Sequence, residues 1–419
     1  MSASVIIIGS GPAGLAAALA LSRQGVHPVI LERLDRPALK LLASGGGRCN
    51  FSNVLSAEDF MKKFGRNGAF MRNALRFAPK ERLLDFLESA GVETVLTEQF
   101  FYFPASGRSR DILEAFLRAS GAEVRTFAEV VFISAENGRV TGIELKSGER
   151  IPVQAVVLAA GGCAWNGLGS MAGLKLAEQL GHTIRTPLPA VAPLLIREDW
   201  VTKLSGVSLP EAQLTLRSGR DTLMTTGSLL FTHVGLSGFP ALDLAGDAAA
   251  LCEKNGTATL HLSVCSGRTA ADWKRIFDEA RRNAGPKSIR SILNEYIPKS
   301  VAETLTGLCG CSEAKASNLS AGALRLLTEY LTACPLTLTG SGPMGKAMAM
   351  RGGISLKEVD PATLSSRKVQ GLFLAGELLD LTGPCGGYNI QWAFSSGFLA
   401  GSSAAAYLKT ANHPEEVRP

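Results

Sequence analysis

Residues 4–32 read SVIIIGSGPAGLAAALALSRQGVHPVILE. The stretch opens with a short apolar run at 4–8, passes through a glycine-rich segment at 9–14, and continues as an alanine- and leucine-rich run at 15–24. This pattern predicts a buried strand, a turn and a helix that ends at Gly25, with a second buried strand at 26–31. Such a βαβ unit opens a parallel sheet. The sequence therefore predicts an α/β fold with a Rossmann-like domain.

The turn at 9–14, GSGPAG, fits the pattern G-x-G-x-x-G, and Glu32 stands at the end of the next strand. Gly9 would make the tight turn, Gly11 would let a pyrophosphate approach the backbone, and Gly14 would let helix and strand pack closely. The helix N-terminus favours phosphate, and Glu32 would accept hydrogen bonds from a ribose. A glycine turn that binds nothing is the alternative, which the register of Glu32 disfavours. We expect Gly11→Val to abolish binding, because valine would fill the phosphate space and would be strained by unusual backbone angles.

Two later segments favour FAD over NAD. The runs AVVLAAGG at 155–162 and GLFLAGE at 371–377 each lead an apolar strand into small residues, and GGYN at 386–389 opens a helix. Glu377 is placed to hold the ribitol chain of a flavin, and the N–H groups that open the helix at 389–396 would stabilise a reduced, anionic flavin ring. A glycine-rich core strand and turn is the alternative. We therefore predict FAD as the cofactor.

Four longer segments carry a family resemblance: KLLASGGGRCNFSN at 40–53, FTHVGLSG at 231–238, GGISLKEVD at 352–360 and AGELLDLTGPCGGYNIQWAFSSGFLAG at 375–401. Together with GSGPAG they resemble the BaiN/YhiN-type bacterial flavoproteins, which include an aminoacetone-oxidase-like branch of the glutathione-reductase-like FAD fold. The resemblance implies a Rossmann-like FAD-binding domain built from both chain ends, with an inserted β-barrel and helical domain. The run GCAWNGLGS at 162–170 departs from the family's T-G-x-G-Y-like run, and this allows a changed substrate pocket.

The pattern of predicted strands and helices along the chain indicates the same organisation. Strands are predicted at 123–133, 140–146 and 151–158, joined by hairpin turns at 136–139 and 147–150. Alternating strands begin near residue 191, helical segments run from 270 to about 333, and apolar strands with glycine turns, as in the N-terminal part, return at 352. We place the first part of the FAD-binding domain at 1–190, the inserted barrel and helical domain at 191–340, and the second part of the FAD-binding domain at 341–419.

The predicted cofactor site draws on both arguments. The glycine turns and strand ends contribute Gly9, Gly11, Ala13, Gly14, Glu32, Arg33, Ala160, Gly161, Gly376 and Glu377. The resemblance implies further FAD contacts at Lys40, Ser44, Gly45, Gly46, Gly47, Arg48, Cys49, Asn50, Val130, Gly386, Gly387, Tyr388, Asn389 and Ile390. Arg48 has two readings from its chemistry, since a guanidinium neutralises a pyrophosphate or fixes an anionic substrate. No catalytic residue is assigned.

Composition excludes several classes of protein. With 419 residues, 46% hydrophobic residues and 45 glycines, the chain is neither a short secreted scaffold nor collagenous or disordered. The apolar run at 5–21 resembles a membrane span, but Gly9, Gly11 and Pro12 interrupt it, so we expect a cytoplasmic protein without a membrane segment. The net charge of +6 does not require a nucleic-acid partner.

The eight cysteines show no zinc-site spacing, and we expect no metal. Cys49 lacks the nearby second cysteine that a dithiol flavoenzyme needs, so structural roles are favoured for Cys49, Cys163 and Cys385. The CGC run at 309–311 favours a turn between helices.

His233 either faces the active site or is a hydrogen-bonded structural residue. In the basic segment 268–290 no aromatic residues are interleaved in a stacking pattern, which favours a solvated face over a nucleic-acid surface.

These features predict a FAD-dependent oxidoreductase acting on a small organic substrate between the FAD-binding domain and the insert. Two chemistries stay open: an amine or amino-ketone oxidase using O2, and an NAD(P)H-linked reductase of an activated double bond. The chain has no convincing second nicotinamide-binding motif, which slightly favours the oxidase or transient nicotinamide binding. An RNA-associated flavoprotein and a non-catalytic flavin-binding protein are the alternatives outside this class.

Overall fold

The computed structural model describes residues 4–218, 221–283 and 287–412. The chain forms two compact units. The sheet unit comprises Met1–Pro187 and Ala349–Pro419, and the barrel unit comprises Leu188–Met348. The first three and last seven residues of the predicted FAD-binding domain lie outside the described residues.

The strands and helices are numbered in chain order. The strands are β1 Val5–Ile8, β2 Val29–Leu31, β3 Ser52–Asn53, β4 Thr94–Thr97, β5 Phe101–Pro104, β6 Glu123–Arg125, β7 Val130–Glu136, β8 Arg139–Leu145, β9 Arg150–Pro152, β10 Ala155–Leu158, β11 Ile184–Ala190, β12 Leu194–Ile196, β13 Ser208–Ser218, β14 Asp221–Thr232, β15 Gly235–Gly238, β16 Ala258–Ser263, β17 Cys334–Ser341, β18 Ala349–Ile354 and β19 Leu372–Leu374. The helices are α1 Pro12–Ser22, α2 Leu39–Ala43, α3 Ala57–Lys62, α4 Arg72–Phe77, α5 Lys80–Ser89, α6 Ser109–Ser120, α7 Ala172–Gln179, α8 Asp199–Lys203, α9 Phe239–Asn255, α10 Ala270–Asn283, α11 Ile289–Leu293, α12 Lys299–Leu308, α13 Ala321–Ala333 and α14 Tyr388–Asn412.

A five-stranded parallel sheet forms the core of the sheet unit, in the order β19-β10-β1-β2-β6. Every residue of β1, β2, β10 and β19 is buried, as expected for parallel strands covered on both faces. Helix α14 packs tightly on α1: a Cβ on Gly397 would lie 2.1 Å from the Ala13 carbonyl oxygen, and one on Gly401 would lie 2.4 Å from that of Ala17. The predicted Rossmann-like sheet, built from both chain ends, is confirmed.

The predicted strand at 123–133 is in fact two strands in different sheets. β6 pairs in parallel with β2, whereas β7 pairs with β8 in a separate antiparallel sheet, β7-β8-β9. The chain turns between them at Phe127, whose φ of 54° is unusual for a bulky residue. The predicted hairpin turn at 136–139 is present, with Asn137 and Gly138 both at positive φ.

The barrel unit contains a closed barrel, β12-β15-β14-β13-β16-β17. Alternate residues of its strands are fully buried, as in Leu214 and Leu216 of β13 and Leu260 and Leu262 of β16. Helices α9 to α13 belong to the same unit. An inserted β-barrel with helices is therefore confirmed, although the sequence pattern did not show α9 or the short strands β12 and β15.

Among the residues that the structure describes, no helix is long and apolar enough to cross a membrane.

Candidate functional site

The turn between β1 and α1 leaves open space at one glycine only. A Cβ on Gly9 would lie 2.5 Å from the Ala159 carbonyl oxygen, and one on Gly14 would lie 1.9 Å from that of Gly9, so both are fixed by packing. A Cβ on Gly11 would meet no atom within 4 Å. The backbone of Gly11, at φ −66° and ψ −178°, is open to any residue, so the predicted strain on valine is wrong and only the space argument stands.

Glu32, at the end of β2, is almost fully buried and already accepts three hydrogen bonds. The backbone N–H of Ser10 donates to its Oε2 at 3.1 Å, the Ser10 hydroxyl donates to the same oxygen, and the Leu34 N–H donates to Oε1 at 3.0 Å. The Ser10 hydroxyl also accepts from the Ala38 N–H at 2.9 Å. A carboxylate has about four acceptor positions, so Glu32 retains capacity for a ribose hydroxyl. Sequence reasoning missed Ser10, because the fingerprint leaves that position unspecified.

Glu377 follows β19 and is held by three donors at the same edge of the sheet. The ammonium of Lys40, in α2, lies 2.6 Å from Oε2, and the backbone N–H groups of Gly162 and Met350 donate at 3.1 and 3.0 Å. The two charged side chains are 27% and 18% exposed, so the ion pair is largely shielded from water. This geometry fixes the carboxylate of Glu377 in one orientation.

The glycines after the strands bring these elements close together. A Cβ on Gly376 would lie 3.0 Å from the Cβ of Ala13, and one on Gly9 would lie 2.7 Å from the Cα of Ala160. Gly161, at φ 68°, faces open space. The carboxyl ends of β1, β10 and β19 therefore meet where α1 begins, which is where ligands bind in open α/β sheets.

The N-terminus of α14 lies against residues 50–53, which lead into and form β3. A Cβ on Gly387 would lie 2.7 Å from the Ser52 nitrogen and 2.8 Å from the Oδ1 of Asn50. That oxygen is buried and has no hydrogen-bond partner among the described residues. The Asn53 side chain donates to the Gly386 carbonyl at 3.0 Å. An unpartnered buried acceptor is costly, so Asn50 is suited to a donor on a bound ligand.

Asn389 closes the loop before α14 with its side chain. Its Oδ1 accepts from the Gly383 N–H at 2.8 Å, and its Nδ2 donates to the Gly383 carbonyl at 2.9 Å. The prediction for Asn389 rested on its backbone N–H alone, and the structure adds this clamp. The neighbouring Tyr388 packs on Phe60 and Phe64, with ring centroids 5.1 and 6.4 Å away.

Ser44, Gly45, Gly46 and Gly47 form a short 3-10 turn after α2, with positive φ at all three glycines. Arg48 is exposed, and its Cζ lies 5.2 Å from the centroid of the Phe103 ring. Cys49, also at positive φ, is fully buried. Burial raises the pKa of the Cys49 thiol to about 12, against a hydrogen bond with Ser44 that lowers it. A thiol with this pKa is protonated at neutral pH, as a structural cysteine requires.

Three predicted residues have local structural contacts. Arg33 donates to the carbonyl oxygens of Leu168 and Gly169 at 2.7 and 3.1 Å, and so ties down the loop at 162–170. Val130 is buried at the start of β7. Ile390 belongs to the first turn of α14. Contacts of these residues with a cofactor stay predictions.

All eight cysteines are free, and no cluster among the described residues has metal-site geometry. Cys163 lies 3.6 Å from the Met350 sulfur, and burial raises its pKa. Cys309 ends α12 and Cys311 follows Gly310 in a turn. His233 is exposed between β14 and β15, and both predicted roles for it stay predictions.

Three of the seven basic residues in the segment 268–290 form ion pairs, and others contact neutral protein groups. Arg275 pairs with Asp272 at 2.8 Å, Lys287 pairs with Glu295, and Arg290 lies 3.8 Å from Glu303. The guanidinium of Arg268 lies 4.4 Å from the ring centroid of Tyr296, and Arg281 donates to the Leu319 carbonyl. These pairings support a solvated face with internal charge compensation. Residues 284–286 of this segment lie outside the described residues.

The residues at the sheet edge fit FAD. The space in front of Gly11 suits a pyrophosphate, and Glu32 suits a ribose. The Asn50 oxygen beside Gly387, which has no partner among the described residues, suits a hydrogen-bond donor at the flavin end of the cofactor.

Comparisons with known proteins agree with this fit. Residues 3–403 match the model of the HI0933-like protein Rossmann domain. The chain is 31% identical over 412 residues to a 3-dehydro-bile acid delta(4,6)-reductase of Clostridium scindens, covering 95% of this chain and 98% of that protein. It is 28% identical over 410 residues to a ribosomal RNA dihydrouridine synthase of Escherichia coli, covering 96% and 98%.

Solved structures show the same fold. A flavocytochrome c3 fumarate reductase matches with a TM-score of 0.52 at 16% identity, over 97% of this chain and 78% of that one. A 3-ketosteroid delta1-dehydrogenase of Sterolibacterium denitrificans matches with a TM-score of 0.52 at 13% identity, over 96% and 99%. The chain therefore belongs to the HI0933-like, BaiN/YhiN-type flavoprotein family and is a FAD-dependent oxidoreductase.

Proposed function

We propose that the protein reduces a carbon–carbon double bond conjugated to a carbonyl group in a small organic substrate. The observation that carries this proposal is the full-length similarity to two proteins whose names describe one kind of reaction. A 3-dehydro-bile acid delta(4,6)-reductase and a dihydrouridine synthase each add two hydrogen atoms, that is two electrons and two protons, to a double bond in a carbonyl compound. This chemistry favours the reductase over the amine or amino-ketone oxidase.

A bound, reduced FAD would supply a hydride to the carbon β to the carbonyl, and a proton from solvent would add to the carbon α to it. The protein's own residues then bind and orient. The turn at Gly11 and the α1 N-terminus would hold the pyrophosphate, Glu32 would hold the ribose, and Glu377 would hold the ribitol chain in the orientation that Lys40 fixes. The N-terminus of α14, locked by the Asn389 clamp, favours negative charge on a reduced flavin.

We propose NADH or NADPH as the electron donor and a reducing cytoplasm as the compartment. The support for the compartment is that all eight cysteines are free, although many are buried. The donor follows from the reaction, since a reductase needs a source of two electrons. The sequence has no convincing second dinucleotide fingerprint, so the nicotinamide would bind transiently.

Anaerobic half-reactions test the function. Protein-bound FAD is reduced with dithionite and mixed with a 3-oxo-4,6-dienoic bile acid, a simple enone, uridine or a ribosomal RNA transcript, and flavin reoxidation is followed by absorbance. We expect reoxidation by a conjugated ketone and a saturated product in the mass spectrum. The proposal fails if amines reduce the oxidised flavin while no conjugated ketone reoxidises the reduced one. Reoxidation by the transcript alone would refute the small substrate.

A further inference from the structure

Arg48 is a cation without a carboxylate partner at the cofactor loop. Among the described residues, no acidic side chain lies within 4 Å of its guanidinium, whose recorded hydrogen bond is a weak one from Nε to the Gly45 carbonyl at 3.4 Å. The side chain is exposed, and its Cζ lies 5.2 Å from the centroid of the Phe103 ring. A guanidinium carries five N–H donors. Four of them are therefore available to a ligand.

The aromatic contact orders the side chain. A guanidinium over a ring face is attracted by the ring quadrupole, which limits the freedom of a long side chain. The donors on the edge of a stacked guanidinium point away from the ring and form a fork that matches the two oxygens of a carboxylate. Arg48 is thus prepared for an oxyanion before the oxyanion arrives.

The elements around Arg48 place it at the α14 end of the site. Phe103 lies on β5, which pairs with β3 through Ser52 and Tyr102. β3 in turn contacts the α14 N-terminus, where Asn53 donates to the Gly386 carbonyl. The pyrophosphate position at Gly11 belongs instead to the turn between β1 and α1. Of the two sequence readings of Arg48, this placement favours the substrate over the pyrophosphate.

We propose that Arg48 selects a substrate that carries a carboxylate, by binding both carboxylate oxygens through the free edge of its guanidinium. The inference rests on the proposed function and adds the charge of the substrate. Arg48 is a specificity-determining residue and takes no part in the transfer of hydrogen.

Binding to the oxidised, FAD-loaded protein tests this without turnover. Calorimetric titrations compare the 3-oxo-4,6-dienoic bile acid with its methyl ester, which has the same ring system and no charge. Wild type should bind the acid about tenfold or more tightly than the ester, and Arg48→Gln should bind the two equally. Arg48→Lys, which keeps the charge but loses the fork, should retain only part of the preference. Arg76→Gln, at an exposed arginine of α4, is the matched control and should behave as wild type.

Three results would overturn the inference: a wild type that fails to bind the acid, an Arg48→Gln variant that keeps the preference for the acid, or an Arg48→Gln variant that loses FAD. The last would assign Arg48 to the cofactor. The reoxidation experiment judges the proposed function separately. Suppose that the acid and the ester reoxidise the reduced flavin equally well, both in wild type and in Arg48→Gln. The proposed function then holds, and the proposed role of Arg48 is wrong.

Discussion

Replacing Gly11 with valine separates cofactor binding from folding. The Cβ position of Gly11 faces open space to at least 4 Å, and the extended backbone there suits valine. The folded chain therefore has room for the side chain. The same space lies in front of the first turn of α1, whose N–H groups would bind the pyrophosphate. The valine side chain and the pyrophosphate therefore cannot both occupy it.

The two effects differ greatly in size. Gly11 is the N-cap of α1, a position where valine is less favourable than glycine, so the substitution costs about 1 kcal/mol, which is a shift in Tm of at most about 2–4 °C for a chain of this length. Displacing the phosphates removes charge-assisted hydrogen bonds of about 1.5–3 kcal/mol each. Loss of two such bonds weakens FAD binding by about 10²- to 10⁴-fold. We therefore expect a folded apoprotein.

Two further glycines serve as controls. In Gly14→Ala the new Cβ would lie 1.9 Å from the Gly9 carbonyl oxygen, so backbone must move and the Tm of the apoprotein should fall. In Gly267→Val the Cβ, like that of Gly11, meets nothing within 4 Å at an ordinary φ, but it lies in the barrel unit, so FAD occupancy should stay at the wild-type level.

The assay combines the flavin absorbance of purified protein, a fluorescence titration of apoprotein with FAD, and thermal unfolding of the apo forms. The reasoning is refuted if Gly11→Val binds FAD with wild-type affinity, because the pyrophosphate would then lie elsewhere. It is also refuted if the apoprotein of this variant unfolds as early as that of Gly14→Ala.

Three further predictions concern single side chains of the sheet unit. Asn389→Pro should lower the flavin potential by at most about 40 mV relative to Asn389→Ala, because both lose the side-chain clamp and only proline loses the backbone N–H; equal potentials at matched FAD occupancy would leave a packing role alone. Cys49→Ser should keep FAD and turnover, since burial raises the thiol pKa to about 12 and keeps the group protonated, and a charge-transfer band lost on substitution would contradict this. Partial burial opposes ionisation of Glu358, but hydrogen bonds from Thr183 and Lys368 lower its pKa from 4.5 to about 2. The carboxylate therefore stabilises the fold above pH 4.5, and this stabilisation is lost as the pH falls toward 2, so thermal unfolding of Glu358→Gln and wild type should differ at pH 7 and converge near pH 2.

Local patterns predicted the elements whose causes are local. The run at 4–32 contains its own strand, turn, helix and acidic strand end, and β1, α1 and β2 form there. The side chain of Glu377 stands at the sheet edge for the same reason, because it follows directly on the apolar strand β19. Residue type and strand position together suffice for such groups.

Contacts between distant segments could not be predicted. Lys40 and Glu377 are 337 positions apart, and no feature near either residue indicates the other. The division of 123–133 into β6 and β7 was equally hidden, because its apolar residues suit a single strand and the reversal at Phe127 depends on which sheet each half joins. Asn50 was named by resemblance, but its unpartnered oxygen emerges only when Gly387 is packed beside it.

The packing of α14 on α1 sets an order of events during protein synthesis. The Gly397 and Gly401 contacts with Ala13 and Ala17 join segments from opposite ends of the described chain. At ordinary rates of translation, α1 waits about tens of seconds for α14 to leave the ribosome, and the barrel strands, which pair within their own unit, emerge before it. A nascent chain can thus complete its barrel early, but it acquires a full flavin pocket only after α14 has been made. Termination of translation before α14 would yield a polypeptide that contains the glycine fingerprint but lacks the α14 N-terminus, and we expect it not to retain FAD.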